Sequence, residues 1–310
     1  MDIALSFDSG YVMPSGVAIA SICDSNEGCD LHFHLFVNGV SEVDKAKIME
    51  VVDGRAQVTF YDVDVELLSQ CPINPQIHSN SIAKYFRLLI PSLVDEGIER
   101  ILYLDGDILV RRNLSELFDM DMQGRTIAMV YDKIRYDTEL FNRLRYEREY
   151  GYFNSGVCLM NTKQWRERGC TQTIFDYIAE NSSILTWEDQ DALNRVFAGD
   201  CLALPFMYNV QEYMFYEDES YIYWKDSQLL HEARHTPVVV HMCGVKPWNY
   251  NCNHPYTADW FEVLAKTPWR GYVAKTPSLK RRFIDGVKLF LSKRVNFSTG
   301  HINFLSKFEG

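Results

Sequence analysis

No run of about 18 apolar residues, the length a helix needs to cross a bilayer, occurs in this chain of 310 residues. No basic, apolar leader opens it either: Met1-Asp2-Ile3 does not read as a secretory signal. The eight cysteines never form a Cys-X-X-Cys pair, which argues against a zinc site made of thiolates. Scattered through apolar contexts, they read as reduced thiols of a cytosolic protein. Two nucleotide signatures are missing as well. No Gly-X-Gly-X-X-Gly follows a strand, so a dinucleotide site of the usual kind is not supported, and no Gly-Lys-Ser/Thr closes a phosphate loop. Basic residues are scarce in the body. The net charge is −11, yet from Arg270 onward nine Lys/Arg stand against two Asp/Glu. So acidic a body argues against nucleic-acid binding, whereas the basic end suits an anionic surface.

What is present is an ordinary globular balance, 47% hydrophobic and 24% charged residues, at a length that suits one large α/β domain or two smaller ones. The chain is organised around Ile101-Leu102-Tyr103-Leu104-Asp105-Gly106-Asp107-Ile108-Leu109-Val110. The apolar flanks read as one buried strand, covered on both faces, that surfaces for three residues and re-enters the core. Asp105 and Asp107 are two apart, so in extended chain both carboxylates point the same way. Converging carboxylates repel unless a cation lies between them. Oxygen ligands favour a hard divalent ion, Mg²⁺ or Mn²⁺; a solvated Asp-Gly turn is the plain alternative.

Before this stretch the pattern alternates strand and helix. Strands are expected over residues 2–7, 31–37 and 57–61, with helices from Pro14 to Ile22 and from Val43 to Val52, the start of a βαβ arrangement. Asp8 and Tyr11 lie in the first turn, at a strand's carboxyl end, where open α/β sheets bind ligands. Residues 79–93 have helical spacing, with Ile82, Tyr85, Phe86, Leu89 and Leu93 on one face. Further strands are expected at 126–131, 153–161, 201–204 and 236–241. Residues 132–150 read as a charged surface helix, and Asp189-Gln190-Asp191 as a helix start. His241, at a strand end beside Gly244 and Lys246, suits a metal ligand next to a phosphate contact. From Leu279 the tail is a basic amphipathic helix with Phe on its apolar face, a pattern of helices that lie in a membrane interface; docking on the protein's own body competes. Division into 1–255 and a 256–310 extension follows.

Six of these motifs, in this order, resemble family 8 of the glycosyltransferases, above all the bacterial lipopolysaccharide glucosyl- and galactosyltransferases. They are Asp8 with Tyr11, Tyr85-Phe86-Arg87-Leu88, Leu102-Tyr103-Leu104-Asp105-Gly106-Asp107, Phe153-Asn154-Ser155-Gly156, Asp189-Gln190-Asp191, and His241-Met242-Cys243-Gly244-Val245-Lys246-Pro247-Trp248. The resemblance spans residues 1 to about 250 and implies a GT-A fold, a Rossmann-like mixed, mostly parallel sheet flanked by helices. It implies Asp105, Asp107 and His241 around Mn²⁺ (or Mg²⁺) and the phosphates of UDP-glucose or UDP-galactose. Asp8 would accept from the uracil, and Tyr11 would stack on it. Gly244 and Lys246 would meet the diphosphate, with Gly106 also counted among donor-binding positions. Arg87, Asn154, Asp189 and Gln190 would surround the donor sugar. Ser9 and Gly10 depart from the family's Asp and Asn, and the His241–Lys246 stretch is one residue shorter than in some relatives.

The implied activity is retaining transfer of a hexose to a saccharide or glycolipid acceptor such as the lipopolysaccharide core. Gln is a poor nucleophile, so front-face attack is favoured over double displacement through Gln190 or Asp189. The expected location is cytoplasmic, on the inner face of the cytoplasmic membrane through the basic tail. A haloacid dehalogenase-like phosphatase and a non-catalytic nucleotide-sugar binder are the alternatives.

Overall fold

The fold, that of a computed structural model, is described for residues 1–69, 71–72, 81–215 and 224–274. Strand β1 (Asp2–Asp8) leads into α1 (Val12–Ser25), β2 (His32–Asn38), α2 (Glu42–Val52) and β3 (Gln57–Asp62). Ser41 accepts from the Asp44 amide to cap α2, and Asp53 ends that helix in the left-handed region. Next come α3 (Ile90–Leu93), β4 (Arg100–Leu104), β5 (Ile108–Val110), α4 (Ser115–Phe118) and β6 (Ile127–Tyr131). After α5 (Thr138–Leu144) the chain runs through β7 (Phe153–Asn161), α6 (Thr162–Glu167), α7 (Cys170–Asn181) and α8 (Glu188–Val196). It continues with β8 (Cys201–Ala203), β9 (Val210–Gln211), α9 (Trp224–His235), β10 (Val239–His241) and α10 (Thr257–Leu264).

Seven strands form one sheet in the order β3-β2-β1-β4-β7-β6-β8, and β5-β10-β9 form a second, small one. Only β7 runs against its neighbours in the large sheet. Apolar runs, not alternating ones, build it because helices cover both faces. Along β4, Leu102 and Leu104 join one core while Ile101 and Tyr103 join the other. Helix α1 is buried almost all round. Ala18, Ile19 and Ile22 face the large sheet's core, and Val17 joins Leu109, Val240 and Trp260 beside the small one.

The expected single strand from Ile101 to Val110 is two strands in two sheets: the chain leaves the large sheet at Leu104 and enters the small one at Ile108. Apolar periodicity is blind to this change of partner, because both halves are fully covered. The continuous helix expected over 79–93 is also broken. A 3₁₀ helix (Ile82–Leu88) precedes α3, because Pro91 has no amide to bond the Arg87 carbonyl four residues back. Residues 132–150 form two short 3₁₀ turns, the first capped by Asp132, with α5, capped by Asp137, between them. Leu140, Phe141 and Leu144 are buried, so this is not a solvated helix.

All eight cysteines are free. No helix among the described residues is long and apolar enough to cross a membrane. Within 256–274, α10 lies against α1, and Trp260 is fully buried with Val17 and Leu109. The basic helix expected from Leu279 lies outside the described residues.

Candidate active site

The change of sheet builds the site. Asp105 still donates its amide to the Gly156 carbonyl of β7 (2.9 Å), whereas Asp107 accepts from the Met242 amide just past β10 (3.0 Å). His241 ends β10 opposite Ile108. Three residues from two sheets thus converge: the ligand atoms of Asp105, Asp107 and His241 lie within 4.8 Å of one another. Nε2 of His241 is 3.7 Å from Asp105 Oδ2 and 3.4 Å from Asp107 Oδ1. Gly156 makes the convergence possible. An added Cβ there would stand 2.8 Å from His241 Nδ1, 2.9 Å from Asp105 Oδ2, and closer still to His241 Cε1.

Each ligand is oriented from behind. His241 Nδ1 meets Asn209 Oδ1 at 3.0 Å, which leaves Nε2 to face the carboxylates. Asp105 accepts at Oδ1 from the Tyr103 hydroxyl (2.7 Å) and from Arg87 (2.9 Å). Lys246 pairs with the Asp107 carboxylate and donates to the Met242 carbonyl at 2.9 Å. Burial alone would raise the Asp107 carboxyl, but Lys246 and then His241 outweigh it and hold it well below the usual carboxylate range. Burial would likewise lower Lys246, and Asp107 holds it above its usual value. Two carboxylate oxygens and an imidazole nitrogen fit a divalent cation that prefers oxygen ligands.

The residues expected around the donor sugar form one connected network. Arg87 is 5% exposed. Its guanidinium bridges Asp105, Asp189 (3.2 Å) and the Ser155 carbonyl (2.6 Å), and lies over the Tyr103 ring. It is a positioning residue. Asn154 is similarly engaged, donating to Asp132 (3.0 Å) and accepting from Asn209 and from the Gly156 amide. Gln190 accepts from the Ser155 amide at 3.0 Å and turns its Nε2 toward Tyr152 and Asp132. Burial pushes the Asp189 carboxyl up to about 6, with Arg87 opposing. Just before it, Glu188 pairs with Lys84 and holds a backbone φ of 40°, a strained conformation of the sort concentrated at functional sites.

At the rim, Asp8 accepts from the Gly10 amide (2.8 Å) and the Ser81 hydroxyl (2.5 Å). Tyr11 meets Trp248 edge-on at 5.5 Å. A Cβ on Gly106 would strike the Ser15 hydroxyl and come within 3.2 Å of the Tyr11 ring, so a larger residue there would have to displace Ser15. Gly244 is equally tight, against the Glu212 carboxylate. Sequence reasoning missed Asn209, Asp132, Ser155 and Glu212. Asp132 follows β6 at its carboxyl end, the position that pointed to Asp8; Asn209 precedes a strand of two residues and carries no such mark.

A doubly wound sheet with an acidic cradle at its strand ends, backed by a lysine, defines a GT-A glycosyltransferase. The profile of glycosyl transferase family 8 matches residues 2–252. General stress protein A of Bacillus subtilis is 27% identical over 277 residues, spanning 87% of this chain and 94% of that protein. The lipopolysaccharide 1,2-glucosyltransferase of Escherichia coli K12 is 26% identical over 273 residues, 87% of this chain and 79% of that one. The galactosyltransferase LgtC, solved with donor and acceptor sugar analogues, superposes with a TM-score of 0.78 at 25% identity, covering 88% of this chain and all (100%) of that one. The chain belongs to glycosyltransferase family 8, a class of retaining transferases. The phosphatase alternative falls with that membership.

Proposed function

We propose that this protein moves glucose or galactose from a UDP-sugar to a saccharide acceptor of the lipopolysaccharide-core type, with retention at the anomeric carbon. The observation that carries the reading is the convergence of Asp105, Asp107 and His241, with Lys246 reaching the same carboxylate. The glucosyl- and galactosyltransferase relatives support the choice of hexose. Asp105, Asp107 and His241 would hold Mn²⁺ or Mg²⁺, which would supply positive charge to the leaving diphosphate. Lys246 turns its ammonium from Asp107 to the same diphosphate, and Gly244 lies against it. Asp8 and Tyr11 take the uracil, with Gly106 letting the turn close on Tyr11.

Asp189 and Gln190 face the donor sugar beside Arg87 and Asn154; Arg87 holds Asp189, and Asn154 shares Asp132 with the Gln190 amide. Both ends of the Gln190 amide are engaged and Asp189 is clamped by Arg87, an arrangement that favours front-face attack. The acceptor oxygen bonds to the anomeric carbon as the bond to the diphosphate breaks, and the acceptor proton passes to the departing phosphate oxygen. Trapping a covalent sugar on the enzyme overturns this step.

The test is a donor panel with Mn²⁺, reading released UDP, followed by trials with truncated lipopolysaccharide cores. Asp107→Asn should abolish metal-dependent UDP binding and transfer while leaving the fold intact, read by circular dichroism. Retained activity refutes the cradle, and UDP binding without turnover on any glycan favours a non-catalytic binder. The basic tail would hold the enzyme on the inner face of the cytoplasmic membrane, beside a glycolipid acceptor.

A further inference from the structure

A second group of ligand-bearing side chains lies at the opposite end of the strands from the active site. Asp2 begins β1, while His32 and His34 begin β2; in the parallel register Asp2 pairs with His32 and Ala4 with His34. Six residues of extended chain, about 20 Å, separate Asp2 from Asp8 at the other end of β1. The two histidines are two apart and project from the same face. Their rings lie 4.0 Å apart, centroid to centroid. One ligand atom from each of Asp2, His32 and His34 falls within 4.8 Å of the other two.

The surroundings are those of a preset site. His34 Nε2 lies 2.9 Å from Asp2 Oδ1, and its far nitrogen, Nδ1, meets the Tyr61 hydroxyl at 3.0 Å. His32 Nε2 meets the Thr59 hydroxyl at 2.8 Å, which turns Nδ1 toward the same Asp2 oxygen. That separation is 3.6 Å, too long for a hydrogen bond. Both imidazoles are thus anchored through one nitrogen by a hydroxyl from β3 and present the other to a single carboxylate oxygen, the arrangement that orients metal-ligating histidines. The His34 hydrogen bond, foremost, holds Asp2 below the usual carboxylate range despite its partial burial, and burial, aided by His34, lowers His32.

We infer that Asp2, His32 and His34 form a second cation site, selective for a borderline divalent transition ion such as Zn²⁺ and distinct from the Asp105–Asp107–His241 cradle. Bonds of about 2.0–2.1 Å put tetrahedral ligand atoms about 3.4 Å apart; the observed 2.9 and 3.6 Å bracket that spacing. Two imidazoles and one carboxylate leave a fourth position for water. Side-chain exposures of 28% for His32 and 32% for Asp2 give access from solvent. On binding, the His34 proton moves from Nε2 to Nδ1 and is donated to the Tyr61 hydroxyl, which both donates and accepts, so no net proton is released. The nitrogen-rich set discriminates against Mg²⁺, which takes oxygen.

The test is calorimetric titration of the full chain with Zn²⁺, in the Asp107→Asn background that silences the cradle, with thermal melts alongside. About one Zn²⁺ equivalent should remain in that background and raise the melting temperature, and excess Mg²⁺ should not displace it. Adding His32→Asn, or Asp2→Asn, should remove that equivalent and its thermal shift, each variant being compared with and without metal. The inference is overturned if Asp107→Asn binds no Zn²⁺, or if the equivalent survives either added replacement, which would place the ion on other imidazoles or thiols. It does not depend on the donor sugar, so it stands or falls apart from the transferase reading.

Discussion

Replacing Gly156 by alanine is the smallest change that should dismantle the cradle. The new methyl would lie 2.8 Å from His241 Nδ1 and 2.9 Å from Asp105 Oδ2. Ordinary contacts begin near about 3.5 Å, so each group must retreat by roughly 0.6 Å or more. Metal–ligand distances tolerate only about 0.2 Å, so the shift exceeds the tolerance about threefold. Misplacement on the ångström scale costs about a hundredfold in rate, about 2.7 kcal/mol of transition-state stabilisation. Mn²⁺ titrations of donor hydrolysis should show the affinity loss directly, and kcat/KM the rate loss. Overpacking also destabilises, by about 1–3 kcal/mol, so a second variant separates the two effects. In Gly156→Ala/His241→Ala the clash with the ring is gone: the melting temperature should recover while metal dependence stays lost. A Gly156→Ala enzyme with native Mn²⁺ affinity and turnover would refute the geometric argument.

Three further outcomes are expected. Asn209→Ala removes the oxygen that holds His241 Nδ1 and should weaken metal affinity about 10–100-fold, read from the Mn²⁺ dependence of UDP release; unchanged dependence would show that the ring needs no anchor. His254 is buried, and burial, with His241 and Lys246 adding to it, lowers its pKa to about 4. Because the folded pKa is depressed, the unfolded chain binds the extra proton and stability falls with pH between about 6.5 and 4, by about 2 kcal/mol at pH 5. Urea melts of His254→Asn at pH 7 and pH 5 should lack that slope; a slope equal to the native one would refute the assignment. Deleting residues from Leu279 onward should release the protein from anionic vesicles and leave donor hydrolysis unchanged, and vesicle binding that survives the deletion would show that the tail is not the anchor.

Most of the sheet was legible because its strands carry dense apolar runs bounded by turns, as in β1, β2 and β7. Asp105 and Asp107 were legible as a pair for the same reason: flanking apolar residues leave carboxylates nowhere to go but a strand end. What escaped depends on partners distant in the chain. Nothing between Leu104 and Ile108 announces that one strand joins β1 and the other β10, because burial looks alike on both. Asn209 escaped because its role lies in orienting His241 and Asn154, and a lone asparagine before a short strand has no periodicity to betray it. Pro91, by contrast, was visible and should have ended the helix expected over residues 79–93. The network through Arg87 illustrates the same limit. Helical spacing alone sets its charge apart from no other on a helix surface, yet the guanidinium is buried between two carboxylates.

The seam between the sheets has a mechanical consequence. Asp105 is tied by its backbone to the seven-stranded sheet, and Asp107 and His241 to the three-stranded one, so grasping one ion with all three side chains rivets two separately hydrogen-bonded bodies together. Any sliding of the small sheet is then felt as a change in ligand spacing, and a filled cradle resists that sliding in proportion to its affinity. Amide exchange along Val239–His241 and Ile108–Val110 should accordingly slow when metal and nucleotide are added, making the small sheet a reporter of occupancy that requires no turnover.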